Sequence, residues 1–148
     1  MPDRTELATA HALIESSYLH WTGQALSVET DRVAWLYSQA PFALLAHGGQ
    51  DDPLFIYANT AAQALFEYSW EQIVGLPSRL SAPQAQRATR ATVLQQVESE
   101  GLVRNYSGLR VSRNGHRFWI EGATLWKLRD ATGRSAGLAA LIPSWRSD

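Results

Sequence analysis

Asn114-Gly115 stands between two stretches of strand-forming sequence, and no other short signal in the chain restricts the fold as much. Both positions accept the positive φ that a tight hairpin demands, so residues 105–113 and 117–128 are expected to fold back on each other as antiparallel strands. The second stretch alternates. Phe118, Ile120, Gly122, Thr124 and Trp126 are predicted on one face, with Arg117, Trp119, Glu121, Ala123, Leu125 and Lys127 on the other, because successive strand side chains point to opposite sides. Asp130-Ala-Thr-Gly133 reads as a turn into a final strand over 135–142, and the tail from Pro143 is expected to be loosely held.

Ahead of these strands the periodicity is mostly helical. Asp3 and Glu6 form a capping-box pattern; Leu7, Ala10, His11, Ile14, Tyr18 and Trp21 follow at helical spacing, and Gly23 is a stop. A second helix is predicted over 28–39, with Val33, Leu36 and Tyr37 on one side, ended by Pro41, which disfavours helical geometry at Ala40. Residues 42–46 and 54–58 are apolar runs separated by a polar stretch from His47 to Pro53, and read as two strands and a loop. Asn59 is placed to cap a helix over 60–66. Ser69 with Gln72 makes a second capping box before a short helix closed by Gly75. Ser81 with Gln84 repeats it before a helix over 82–100, which stops at Gly101 with Ala88, Ala91, Leu94 and Val97 expected inward. This order of elements describes an α+β domain: a mostly antiparallel sheet with helices on one face, and the N-terminal helices flanking it. The gap between helices and sheet is the natural place for a pocket.

At 148 residues, 45% hydrophobic and 18% charged, the chain is expected to form one soluble domain with a substantial core. It contains no cysteine, which excludes disulfides, thiolate catalysis and cysteine-ligated metals. The first twenty residues lack an apolar signal core, and no run approaches the roughly 18 apolar residues of a membrane helix, so a cytoplasmic location is expected. The net charge of −1 is unevenly spread: residues 1–78 hold two arginines against nine acids, while residues 79–117 hold seven arginines against two acids. Either these stretches neutralise each other within the fold or across a dimer, or the basic one builds a dedicated anion site. A nucleic-acid surface needs a strongly basic domain, which this chain lacks.

The element order and the stretch Phe55-Ile-Tyr-Ala-Asn-Thr-Ala-Ala-Gln-Ala-Leu-Phe-Glu-Tyr-Ser-Trp-Glu-Gln-Ile-Val-Gly75 resemble a PAS domain. The resemblance is closer to the PAS-related MEKHLA domain family. It is carried by Trp35-Leu-Tyr-Ser-Gln-Ala-Pro-Phe42, Leu65-Phe-Glu-Tyr-Ser-Trp70, Leu76-Pro-Ser-Arg-Leu-Ser-Ala82, Asn105-Tyr-Ser-Gly-Leu-Arg110 and Gly115-His-Arg-Phe-Trp-Ile-Glu121. Leu-Pro-Ser-Arg-Leu-Ser is the most specific segment, and together they span residues 8–142. The family occurs in bacterial proteins and at the C-terminal end of some plant homeodomain-leucine-zipper factors, whose DNA-binding parts are not found in this sequence. The resemblance implies a five-stranded antiparallel PAS sheet and a sensing or partner-regulating role, with residues 1–40 as a helical flank and 41–142 as the PAS-like core of a single domain. It supplies no established ligand or catalytic residue.

Cofactors can be tested by residue type. A covalent flavin adduct needs a thiol that is absent; a noncovalent flavin stays open. Haem on the long helix lacks a histidine, since only His11, His20, His47 and His116 occur, and their spacing does not suit zinc. The candidate ligand-binding residues are Trp70, Arg79, Tyr106, Arg110 and Trp126. An inward Arg79 needs a counter-charge, because an unpaired buried charge is costly; Glu67, Glu121 or a ligand carboxylate are the candidates. Tyr106 and Arg110, four apart, share a strand face. Trp70 and Trp126 either wall a cavity or fill it. The expected function is a non-enzymatic sensor that binds an unknown small molecule and signals through a protein partner or homodimer at its N-terminal helices. The alternatives are a ligand-free interaction module and a small cone-shaped enzyme of the ketosteroid-isomerase kind, using His47 with Asp51 or Asp52.

Overall fold

The computed structural model describes residues 2–27 and 29–148. Five strands, β1 (Ala43–His47), β2 (Phe55–Ala58), β3 (Leu102–Val111), β4 (Arg117–Arg129) and β5 (Ser135–Ile142), form an antiparallel sheet in the spatial order β2-β1-β5-β4-β3. The expected loose tail is corrected. Ser144–Ser147 forms a short strand, β6, that pairs with Phe118–Glu121 of β4, while β5 pairs with β4 from Thr124 onward. β6 therefore prolongs the line of β5. Pro143, which has no N–H to contribute to a ladder, falls in the gap between the two paired segments.

Helix ends follow their caps. Asp3 accepts the Glu6 N–H at 2.7 Å to start α1 (Arg4–Thr22), and Gly23, at φ 73°, ends it. α2 (Arg32–Ser38) starts later than predicted because Asp31 caps it through the Ala34 N–H; the predicted first residue, Val28, lies outside the described residues. Asn59 caps α3 (Thr60–Phe66), and the reciprocal Ser69–Gln72 capping box starts α4 (Trp70–Ile73). The predicted capping box at Ser81 does not form. The Ser81 hydroxyl donates to the Ser78 carbonyl instead, and Pro83 holds the chain extended, so short 3₁₀ turns precede α5 (Arg87–Glu100).

The two sheet faces carry separate cores. α3 and α5 cover the inner face, where Leu45, Phe55, Phe66, Val97, Ile120 and Leu125 pack. α1 and α2 cover the outer face, where Ile14, Leu36, Leu44, Tyr57, Trp126 and Leu128 pack. The predicted alternation along β4 fails at one point. Phe118 and Ile120 belong to the inner core, but so do Ala123 and Leu125, while Trp126 is in the outer core. Gly122, at φ 65°, sits where β4 has one residue more than β3 between the pairs Ile120–Gly108 and Ala123–Tyr106. This bulge reverses the facing of every later side chain. Asn105, at φ 58°, supplies a compensating extra residue in β3. At the hairpin tip only Gly115 takes positive φ, Asn114 does not, and the Gly115 N–H bonds the Ser112 carbonyl in a three-residue loop.

Candidate functional site

The space between sheet and α5 is lined mainly by aliphatic and aromatic side chains and measures about 40 Å³. Into its lining come two arginines, Arg90 from α5 and Arg110 from β3, each only 8% exposed. The inward side of α5 is rotated from the one predicted. Ala88 and Ala91 are exposed, and the inward residues Arg90, Val93, Leu94 and Val97 recur at helical spacing. A cation thus occupies the first position of an otherwise apolar stripe.

Neither guanidinium meets a carboxylate among the described residues. Arg90 donates from Nη2 to the Ser78 hydroxyl at 3.0 Å, and Arg110 donates to the Leu109 carbonyl at 2.9 Å and to the Tyr106 hydroxyl at 3.2 Å. Arg110 also stacks over the Tyr106 ring at 5.5 Å. Each guanidinium has five N–H groups, so most of them have no partner among the described residues. Burial, and then the charge of Arg110, push Arg90 down to about 10, which leaves it cationic at neutral pH.

His47 and Ser81 complete the polar lining. Predicted in a loop, His47 is the last residue of β1, buried against the same cavity. Its Nδ1 lies 2.9 Å from the Gly48 carbonyl. A carbonyl only accepts, so Nδ1 carries the proton, and the buried Nε2 is left without a partner among the described residues. Burial pushes His47 down to about 4; the Gly48 carbonyl opposes this and the Arg90 charge adds to it. Asp52, its imagined catalytic partner, pairs with Arg79 instead, and Asp51 is exposed.

Of the five residues expected at the site, Arg110 lines the cavity, and Tyr106 borders it through the Arg110 hydrogen bond and the inner core. Arg79 points outward. Its Nε lies 3.2 Å from Asp52, both side chains are about half exposed, and the expected partners are engaged elsewhere: Glu67 accepts from Ser112, Asn114 and His116, and Glu121 from Arg146. The inward member of Leu76-Pro-Ser-Arg-Leu-Ser is its neighbour Ser78, which holds Arg90. Trp70 and Trp126 lie in the outer core. Trp70 packs edge-on against Tyr37 and Tyr57 and donates to Glu6 at 3.3 Å; Trp126, carried there by the Gly122 bulge, donates to the Ile14 carbonyl at 3.3 Å. They fill the outer core and do not wall the cavity. Arg90 and His47 are site residues that the sequence reading misses, although the spacing Arg90 shares with Val93, Leu94 and Val97 is a signal that points to it.

α1 is stitched to the back of the same sheet. Besides the Trp126 bond, the Ser17 hydroxyl accepts from Arg129 N–H at 2.9 Å, and Trp21 donates to the Lys127 carbonyl at 2.8 Å. β4 therefore carries cavity residues on one side and α1 on the other.

The fold is shared with solved structures at identities that show the fold alone. The PAS domain of a protein from Colwellia psychrerythraea superposes with a TM-score of 0.65 at 18% identity, covering 78% of this chain and 92% of that one. An RNA-binding light-oxygen-voltage receptor gives 0.64 at 18% identity, covering 84% of this chain but only 35% of the receptor. A variant of Vivid gives 0.55 at 23% identity, covering 68% and 80% respectively. No curated protein sequence matches the chain. A space of about 40 Å³ is far below the roughly 300–1,000 Å³ of a pocket for a drug-sized ligand, and a flavin does not fit it. The MEKHLA domain model matches residues 8–147, and the chain belongs to this PAS-related family.

Proposed function

We propose that this MEKHLA domain is a sensory module that acts as one unit, without catalysis: it binds a small molecule between α5 and the sheet and reports occupancy to a protein partner through its N-terminal helices. The observation that carries this reading is the pair of guanidiniums buried in an apolar space with no carboxylate among the described residues. A structural role alone gives little return for burying two like charges in one lining; a ligand that neutralises them gives the site its purpose. Two routes connect it to α1. One is β4, whose two faces serve cavity and helix. The other is the end of α5, where Gly101 abuts the Trp21 ring.

The reading predicts that melting the full chain against a panel of small metabolites finds compounds that raise the melting temperature. It also predicts that Arg110→Ala abolishes the rise and that the same compounds slow amide exchange within α1. Stabilisation that survives Arg110→Ala, or exchange that changes around the cavity but not in α1, contradicts it.

A further inference from the structure

The geometry points to a short aliphatic monocarboxylate, of the size of acetate or propionate, as the class of ligand this cavity takes. The inference rests on the ligand-binding reading above and adds the chemistry of the ligand. Three features of the cavity converge on it.

The first is charge. Arg90 and Arg110 come from different elements, are nine-tenths buried, and influence each other electrostatically inside the same lining. Like charges held together out of water repel, and an anion between them replaces repulsion with two charge-assisted hydrogen bonds or more. A guanidinium presents a planar fork that matches the two oxygens of a carboxylate. Arg90 uses one N–H on Ser78, and Arg110 uses Nη1 on Leu109 and Nη2 on Tyr106, which orient both groups while leaving further N–H groups for a ligand.

The second is the rest of the lining. Leu94, Ile120, Leu125, Leu138 and Ile142 surround the arginines. An inorganic oxyanion needs donors on all sides, whereas here they come from the two arginines, and the Ser81 hydroxyl in the same lining already donates to the Ser78 carbonyl. A ligand with a charged head and an apolar tail satisfies both ends, since the tail loses no hydrogen bonds on entering. Neutral His47, whose Nε2 accepts but does not donate, adds no further charge for a second carboxylate. The third is size. At about 40 Å³ the space is small, so of the carboxylates it suits only the shortest.

The test is an NMR titration of the full chain in chloride buffer at constant ionic strength, following the side-chain Nε–H resonances of Arg90 and Arg110. Acetate and propionate are expected to move both saturably. Acetamide should bind at least roughly tenfold more weakly, the loss expected when a charged hydrogen-bond partner becomes neutral. Arg110→Gln and Arg90→Lys should each weaken acetate binding by a similar factor, while Arg79→Gln, on the surface, should leave it unchanged. The lysine variant retains the charge and so keeps the test open if the glutamine variant fails to fold. Acetamide binding as tightly as acetate overturns the anion assignment while leaving the cavity a ligand site. Nitrate binding as tightly as acetate overturns the carboxylate class. No saturable shift with acetate, acetamide or nitrate rejects the ligand-binding reading together with the proposal.

Discussion

Asn59 shows how much one side chain can hold. Fully buried, it accepts from the Ala62 and Leu44 N–H groups, both at 3.0 Å, and donates to the Leu36 and Phe42 carbonyls at 3.1 and 3.0 Å. One amide thus fastens α2, β1 and α3. Asn59→Ala leaves buried backbone groups unpaired, and a loss of about 3 kcal/mol or more is expected in urea unfolding; a loss under about 1 kcal/mol contradicts this role. His47 makes the residue-scale case for pH. Its imidazole titrates near 6.5 in the unfolded chain and near 4 in the fold, so the unfolded state binds the proton more readily. Stability should therefore fall as pH drops from about 6.5 to about 4, and His47→Gln should flatten that segment relative to the parent chain; unfolding at a series of pH values reads it directly. Asn59 is legible in the sequence as a cap, because that role depends only on its near neighbours. Arg90 is not. A pattern that ranks apolar residues inward sets the charge aside, and only the fold shows that the Ser78 hydroxyl receives its guanidinium.

At the scale of elements, the strands and helices are mostly legible, and the failures share a cause. Each is a single residue whose backbone preference acts beyond its own position. Gly122 adds a bulge and turns Trp126 from the expected inner face to the outer one. Pro83 delays the start of α5. Pattern rules assume unbroken periods, so one inserted residue reverses all that follows. Glycines also divide by what lies beside them. Gly101 and Gly115 both take φ 86°, but a Cβ at Gly115 meets open space, whereas at Gly101 it would stand 2.4 Å from the Trp21 ring. Gly115→Ala should cost only the left-handed backbone term, about 1–2 kcal/mol. Gly101→Ala should cost clearly more, because the Trp21 ring, anchored on the Lys127 carbonyl, must move. Equal losses in chemical unfolding would show that the α5–α1 junction is loose and not a mechanical link.

For the whole molecule, the sheet is a partition with different work on its two sides. The outer side is filled by aromatic rings and sealed by α1; among the described residues no helix is long and apolar enough to cross a membrane. The inner side keeps a small space with two cations in its lining. The uneven charge of the sequence already hints at this, since the basic stretch supplies both buried arginines, whereas Arg79 and Arg117 pair with acids on the surface. The central claim is that an anion belongs between Arg90 and Arg110. A high-resolution crystal structure of the protein grown in acetate tests it most directly. The account predicts planar density with oxygens about 2.7–2.9 Å from nitrogens of both guanidiniums. Either arginine paired to a carboxylate of its own chain, or a closed inner core with no density between them, would contradict it.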